Sequence, residues 1–211
     1  MRLYMVRHGE TAWNKERRIQ GQADIPLNEF GRMLAEKTAK GLSDIRFDIC
    51  YTSPLSRARE TAALILAGRQ VPVIEDERIA EMAFGEYEGR CCSRSGWNLP
   101  EEFRRFFDAP DRYQAPEGGE NFGEVKERTG KFLEELYMKE EYQKSNILIA
   151  THGAALAGLL NNIKDKPLAE YWGEGVHKNC AVTAVEVTDG KPVIISENVV
   201  YYDDEVESWE D

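Results

Sequence analysis

Two short apolar segments, each followed by a histidine and a glycine, dominate the pattern of hydrophobic and polar positions. Residues 3–6 lead into Arg7 and His8, and residues 146–151 lead into His152. Both segments are too short for a helix and lack polar alternation, which predicts strands buried on both faces, as in a parallel sheet. Ligands of open α/β sheets bind beyond the carboxyl ends of the strands, so we predict these side chains at one crevice.

Other periodic segments complete an α/β pattern. Helical spacing of apolar residues predicts helices over residues 28–42, 121–142 and 154–163, of which the first two begin at a capping asparagine and the third is apolar all round and therefore buried. Strands are predicted over residues 48–52, 71–75, 181–187 and 193–200, with a hairpin turn at Asp189-Gly190 between the last two.

A third strand end also carries a motif suited to an anion. Ser53 is predicted to cap a helix whose first position is Pro54, which places Arg57 in the first turn. The N–H groups of a first turn lack internal partners and the helix dipole is positive there, so a phosphate is favoured. The alternative for Arg57 and Arg59 is that they lie on a solvated face of the helix, which is the interpretation we prefer for Arg59.

Composition and charge limit the classes of partner. The 211 residues suit one domain over residues 1–211, and 42% hydrophobic with 31% charged residues is typical of a globular protein. A net charge of −11 disfavours nucleic acids and anionic membranes, because both are bound through basic patches. No apolar run could cross a bilayer, and the first strand leaves no room for a secretion signal, so we expect a cytoplasmic protein. Residues 203–211 are predicted to form a frayed acidic tail.

The cysteines do not indicate a metal site. Cys50, Cys91, Cys92 and Cys180 form no Cys-x-x-Cys pair and have no histidine at ligand spacing, so no metal and no cofactor are predicted. Reduced thiols are expected, and a redox pair at the adjacent Cys91 and Cys92 is the less favoured alternative.

Several motifs follow one another along the chain: Arg7-His8-Gly9-Glu10-Thr11 with Asn14, Ser53 to Thr61 around Arg57, Glu81 ahead of Phe84 to Gly89, and Thr151-His152-Gly153. Together, these motifs resemble the histidine phosphatase (phosphoglycerate mutase-like) superfamily. The resemblance covers residues 3 to about 153 and is weak beyond. It implies a three-layer sandwich, in which a mostly parallel central sheet is flanked by helices and carries an inserted mixed helix and loop cap.

The resemblance also implies roles for individual residues. His8 would attack phosphorus and form a phosphohistidine, with Arg7, Arg57 and His152 around the transferring group. Glu81 would protonate the leaving group. Substrate contacts would come from Asn14, Gln20 and Gly21.

Three functions remain open within this resemblance. A phosphomonoester hydrolase acting on a small phosphorylated metabolite without a metal leads, because the stretch from Gly85 to Gly89 is similar to the phosphatase branch. A bisphosphoglycerate-dependent phosphoglycerate mutase is the nearest rival. The third is an inactive binding or regulatory module, which the retained site residues disfavour.

The cap, predicted over about residues 83–120, is the most individual segment. It interleaves aromatic residues and arginines with prolines, and we consider it a lid whose Arg90, Arg94 and Trp97 help to select the substrate. Plain packing with exposed arginines is the alternative. Monomer and homodimer are both compatible with the sequence.

Overall fold

A six-stranded sheet runs through the centre of the computed structural model, which describes residues 1–204; the predicted acidic tail lies, apart from its first two residues, outside them. The strands are β1 (Arg2–Arg7), β2 (Ile49–Thr52), β3 (Val73–Glu75), β4 (Asn146–Thr151), β5 (Val182–Thr188) and β6 (Lys191–Val199). They lie in the order β3-β2-β4-β1-β5-β6, and only β5 runs against the others. The predicted α/β fold with a mostly parallel sheet is therefore confirmed.

Helices cover both faces of the sheet. They are α1 (Ala12–Lys15), α2 (Glu29–Gly41), α3 (Ser56–Leu66), α4 (Arg105–Asp108), α5 (Phe122–Met138) and α6 (Gly153–Lys164). Apolar residues of α5 and α6, such as Phe132 and Leu159, pack with Met5 and Ile149 in one core. The opposite core joins Val6 of β1 to apolar residues of α3. The three predicted layers are confirmed.

Two helix boundaries differ from the prediction. The helix after β2 begins at Ser56, two residues beyond Pro54, and no side chain caps it. The helix that follows Asn121 ends at Met138 and not at Tyr142, because Lys139 has an extended backbone with ψ 103°. In addition, the segment between His8 and α2 contains the single helical turn α1, which the hydrophobic pattern did not indicate.

The two histidines are brought together by the pairing of β1 with β4. These strands are parallel neighbours in a register that places Arg7 beside Thr151. The His8 N–H donates to the Thr151 carbonyl at 2.9 Å, which continues the pairing one residue past the strand end. His8 and His152 therefore leave the sheet at the same edge.

The segment predicted as a cap, residues 83–120, folds into α4, short 3-10 turns and loops. Its two ends meet where Phe84 forms an isolated bridge with Gly119. Rings of the segment, including Phe103 and Phe106, join Phe122 of α5 in one buried cluster. Phe122 thus packs this segment against the amino-terminal end of α5.

None of the helices within residues 1–204 combines the length and apolarity needed to span a membrane.

A close backbone contact holds the loop after His8 against α2. A methyl group added at Gly31 would meet the Glu10 carbonyl oxygen at 2.1 Å, whereas one added at Gly123 would meet only the Leu168 side chain at 3.9 Å. We expect Gly31→Ala to lower the free energy of unfolding by about 1–3 kcal/mol, because backbone atoms must move apart. Gly123→Ala is the matched control and should change it by no more than about 1 kcal/mol, in the stabilising direction. Urea denaturation measures both, and equal effects would contradict this prediction.

Candidate active site

A cavity opens at the carboxyl ends of β1 and β4. Seven of the eight residues singled out from the sequence line it, namely Arg7, His8, Asn14, Gln20, Gly21, Arg57 and Glu81. The eighth, His152, is fully buried behind them, with its ring centre 5.1 Å from that of His8. Residues scattered over the first three quarters of the chain are thus collected around one opening.

His8 has one ring nitrogen available to the cavity. Its Nδ1 lies 2.7 Å from the Gly9 carbonyl oxygen, which can only accept, so Nδ1 carries the proton and Nε2 keeps a free electron pair. Burial, followed by the charges of Arg57 and Arg7, lowers the pKa of His8 well below its ordinary value. The ring is therefore neutral at physiological pH.

Two buried guanidinium groups make the cavity positive. Arg7 donates from Nη1 to the His177 carbonyl at 2.5 Å, and Arg57 donates to the carbonyls of Gly21 and Ala23, each at 2.7 Å. Burial lowers the pKa of each arginine to about 10, which still leaves both charged at neutral pH. An anion is therefore favoured between them, despite the net negative charge of the chain.

His152 is oriented by neighbours on both sides of its ring. The Arg57 Nε–H donates to Nδ1 at 3.2 Å, so the proton is on Nε2, which donates to the Ser53 hydroxyl at 2.7 Å. Burial and then the charge of Arg57 lower the pKa of His152 well below its ordinary value. His152 thus contacts Arg57 and does not reach the cavity itself.

The Ser53 contact corrects the prediction for this strand end. Ser53 was expected to cap the following helix, but its hydroxyl meets His152 and the Leu55 N–H, and the Ser56 N–H donates to Asp24 at 2.7 Å. Within the first turn of α3, the Arg57 side chain lines the cavity.

Asn14 directs an unused donor at the cavity. Its Oδ1 accepts from the Thr11 N–H at 3.1 Å, which fixes the orientation of the amide. Nδ2 is then buried with no hydrogen-bond partner among the described residues. A buried donor without a partner is costly, so this amide is suited to an anionic ligand oxygen. Gln20 is held nearby, since its Oε1 accepts from the Thr11 hydroxyl at 3.0 Å.

Gly21 lies in a conformation that favours glycine, with φ +54°, and a methyl group there would collide with the Glu88 carboxylate. That carboxylate also accepts from the N–H groups of Gln22 and Ala23, at 2.9 and 3.0 Å. Glu88, which the sequence did not distinguish from other acidic residues, therefore shapes the loop that presents Gly21 and its carbonyl to Arg57.

Glu81 lies at the amino-terminal end of α6. Its Oε1 accepts from the N–H groups of Met82, Ala154 and Ala155 at 2.9 to 3.1 Å, and its Oε2 makes one longer contact of 3.3 Å with Ala154. Oε2 is therefore the oxygen less occupied by the backbone, and the carboxylate is at once a helix cap and part of the cavity wall.

The predicted lid residues lie elsewhere. Within the described chain, the cavity wall includes none of Arg90, Arg94 and Trp97. Arg90 instead lies over the Tyr87 ring at 5.0 Å, and the Trp97 indole N–H donates to the Leu99 carbonyl at 2.8 Å. The role of these three residues in selecting the substrate stays a prediction.

Several residues of the site were missed in the sequence. Phe107 of α4, Arg18 and Trp172 line the cavity, and the Asn179 side chain donates to the His8 carbonyl at 2.9 Å. Trp172 and Asn179 follow the region that resembles the family, so no motif marked them. For Arg18, the only signal was its position shortly before Gln20 and Gly21.

No three His, Cys, Asp or Glu side chains within residues 1–204 are placed to share a metal ion. The four cysteines are free thiols, and burial raises the pKa of Cys50 and Cys92 to about 12.

Comparison with known proteins agrees with this geometry. The family model for the histidine phosphatase superfamily (branch 1) matches residues 3–200. The solved structure of Bacillus stearothermophilus YhfR superposes with a TM-score of 0.87 and 37% identity, covering 95% of this chain and 98% of that one.

Among curated proteins, Phosphoserine phosphatase 1 of Hydrogenobacter thermophilus is 29% identical over 94% of this chain and 92% of its own length. A 2,3-bisphosphoglycerate-dependent phosphoglycerate mutase 2 of Gloeobacter violaceus is 32% identical over 75% of this chain and 73% of its own. Because the family model matches nearly the whole chain and the ring centres of the two strand-end histidines lie 5.1 Å apart, the protein belongs to the histidine phosphatase superfamily.

Proposed function

We propose that the protein hydrolyses phosphomonoesters through a phosphohistidine formed on His8. The observation that carries this proposal is the neutral His8 ring, whose free Nε2 borders a cavity shared with two buried guanidinium groups. The phosphatase relatives among the comparisons support the same reaction class.

In the first step, His8 Nε2 attacks phosphorus as the bond to the leaving oxygen breaks. Arg7 and Arg57 neutralise charge on the equatorial oxygens, and the Asn14 amide donates to one of them. The Gly9 carbonyl holds the Nδ1 proton, so the ring can carry positive charge as the N–P bond forms. Positioning and charge are thus supplied by side chains alone, and we propose a reaction without metal or cofactor.

Glu81 is the proposed proton donor. It gives its proton to the departing alkoxide and, in the second step, takes one from the water that attacks the phosphohistidine, releasing phosphate and free His8. Oε2, the less occupied carboxylate oxygen, is the atom suited to this transfer.

For His152, the hydrogen bonds support a positioning role. Its neutral Nδ1 accepts from Arg57 Nε, which leaves the guanidinium pinned by three acceptors and directed along one edge of the cavity. The positions of Gln20 and Gly21 in the cavity wall support the substrate contacts proposed for them. Gly21 also orients Arg57, because its carbonyl accepts a hydrogen bond from that guanidinium group.

A mutase is the second candidate, because one relative carries that name. A mutase must hold a substrate with two anionic groups while its phosphate is exchanged. Beyond Arg7 and Arg57, the cavity wall within the described residues has one further cation, Arg18, so hydrolysis is favoured. A phosphate-release assay run beside a mutase assay with a bisphosphorylated primer separates the two reactions.

A small phosphorylated substrate follows from either reaction. The cytoplasmic location and the choice between monomer and homodimer stay predictions from the sequence.

The covalent step can be tested by trapping. Wild-type protein mixed with a radiolabelled phosphomonoester and quenched in base should carry acid-labile label on His8. His8→Asn should lose the label and at least about 10³-fold of kcat, because no other described group is placed as the nucleophile. Circular dichroism checks that the variant is folded. Label on another residue, or retained turnover, would overturn the proposal.

The role of Glu81 can be tested with leaving groups of different basicity. Glu81→Gln should slow alkyl phosphates by roughly 10²–10⁴-fold and spare activated aryl phosphates, whose leaving oxygen needs no proton. If Glu81 acts only as the cap of α6, both substrate classes should lose rate equally and the variant should melt at a lower temperature.

The protonation of the histidines gives a third test. Because the pKa values of His8 and His152 lie below the ordinary 6.5, both rings should stay neutral in the folded protein at about pH 6, where unfolded histidines are mostly charged. The folded state should accordingly lose stability as the pH falls below about 6.5, since the unfolded chain binds the additional protons. NMR of ¹⁵N-labelled histidine measures each ring, with the urea-unfolded protein as the reference. A titration midpoint at or above 6.5 for either ring would be inconsistent with this charge state.

A further inference from the structure

The outer part of the cavity is walled by apolar side chains from separate parts of the chain. Phe106 and Phe107 come from α4 of the cap, Trp172 comes from the segment after α6, and Ile19 and Val176 add aliphatic surface. Phe107, Trp172 and Val176 are half-buried, whereas Arg7, His8 and Arg57 are buried, so these apolar side chains lie nearer to solvent than the phosphate-binding groups do. The wall is therefore placed to contact the alcohol part of a phosphomonoester.

The aromatic wall is preformed. The Trp172 indole N–H donates to the Phe106 carbonyl at 2.7 Å, so its polar atom is already used. The rings of Trp172 and Phe106 meet edge to face at 5.0 Å, and those of Phe106 and Phe107 at 4.9 Å. Such packing presents carbon surface at a low entropic cost on binding.

The charged groups of the wall are already engaged. The Arg18 guanidinium lies 2.6 Å from the Glu16 carboxylate and donates to the Gly89 carbonyl at 2.8 Å. Glu81, the one carboxylate in the wall within the described residues, accepts three backbone N–H groups. An ammonium on the leaving group would meet the three arginines of the wall, and a carboxylate would have to compete with Glu16 for Arg18, so both are less favoured here than an uncharged group.

We propose that the natural substrates are phosphomonoesters of uncharged, hydrophobic alcohols that carry an aromatic or similarly bulky apolar group. This proposal rests on the hydrolase function proposed above. It places phosphoserine and phosphoglycerate, whose alcohol parts are charged, among the poor substrates.

The test compares esters of equal intrinsic reactivity. Propyl phosphate and 3-phenylpropyl phosphate have leaving alcohols of nearly the same acidity, so a difference in kcat/KM reports contact with the wall. We expect kcat/KM to be at least about tenfold higher for the phenyl compound, given what a single methylene contributes in a hydrophobic pocket. Phosphoserine and 3-phosphoglycerate should fall below both.

A pair of cap variants assigns the effect to the wall. Phe107 is half-buried and lines the cavity, whereas Trp97 is a half-buried cap residue outside the wall. Phe107→Ala should lower kcat/KM for 3-phenylpropyl phosphate by a larger factor than for propyl phosphate, and so remove most of the preference. Trp97→Ala, the matched control, should keep the wild-type preference.

Three results would overturn the proposal: equal kcat/KM for the two alkyl esters, a preference for phosphoserine or 3-phosphoglycerate, or equal loss of the preference in both variants. Failure of the hydrolase function itself is recognised separately. In that case the wild-type protein would release no phosphate from any ester, including 4-nitrophenyl phosphate, and would form no phosphohistidine.

Discussion

The parallel pairing of β1 with β4 is the constraint on which the site depends. Its register puts Arg7 beside Thr151, and the next residue of each strand is a histidine. A slip of one residue would turn either ring to the other face of the sheet, because side chains alternate along a strand. The apolar cores on both faces, packed against α5 and α6 on one side and α3 on the other, make such a slip unfavourable. The geometry of the histidines is thus a product of the whole sandwich.

The same burial that fixes the rings also sets their charge. A histidine enclosed with two guanidinium groups is disfavoured as a cation, so His8 keeps the electron pair that a nucleophile needs. The arginines donate hydrogen bonds to backbone carbonyls, notably those of His177 and Gly21, which replace part of the hydration that burial removes and leave the charge in place. A chain of net charge −11 can therefore hold a small, strongly positive cavity, effective only at short range.

Local pattern was sufficient for some features and insufficient for others. The buried strands and the Asp189-Gly190 hairpin could be predicted, because each follows from apolar runs or from turn chemistry of adjacent residues. The contact of Ser53 with His152 could not, since a capping serine looks the same in sequence whichever donor or acceptor it finally meets. The aromatic wall could not be predicted either, because Phe107 and Trp172 line one cavity only through the tertiary fold and belong to no common sequence period.

The chain from His177 to Tyr202 reaches back to the first strand end. The Tyr202 hydroxyl donates to the Asn179 carbonyl at 2.5 Å, and the Asn179 amide holds the carbonyl of His8. A ribosome must therefore make residues 177–202 before the backbone of His8 can be held in its final place. Nascent fragments that lack these residues would carry a loosely held His8.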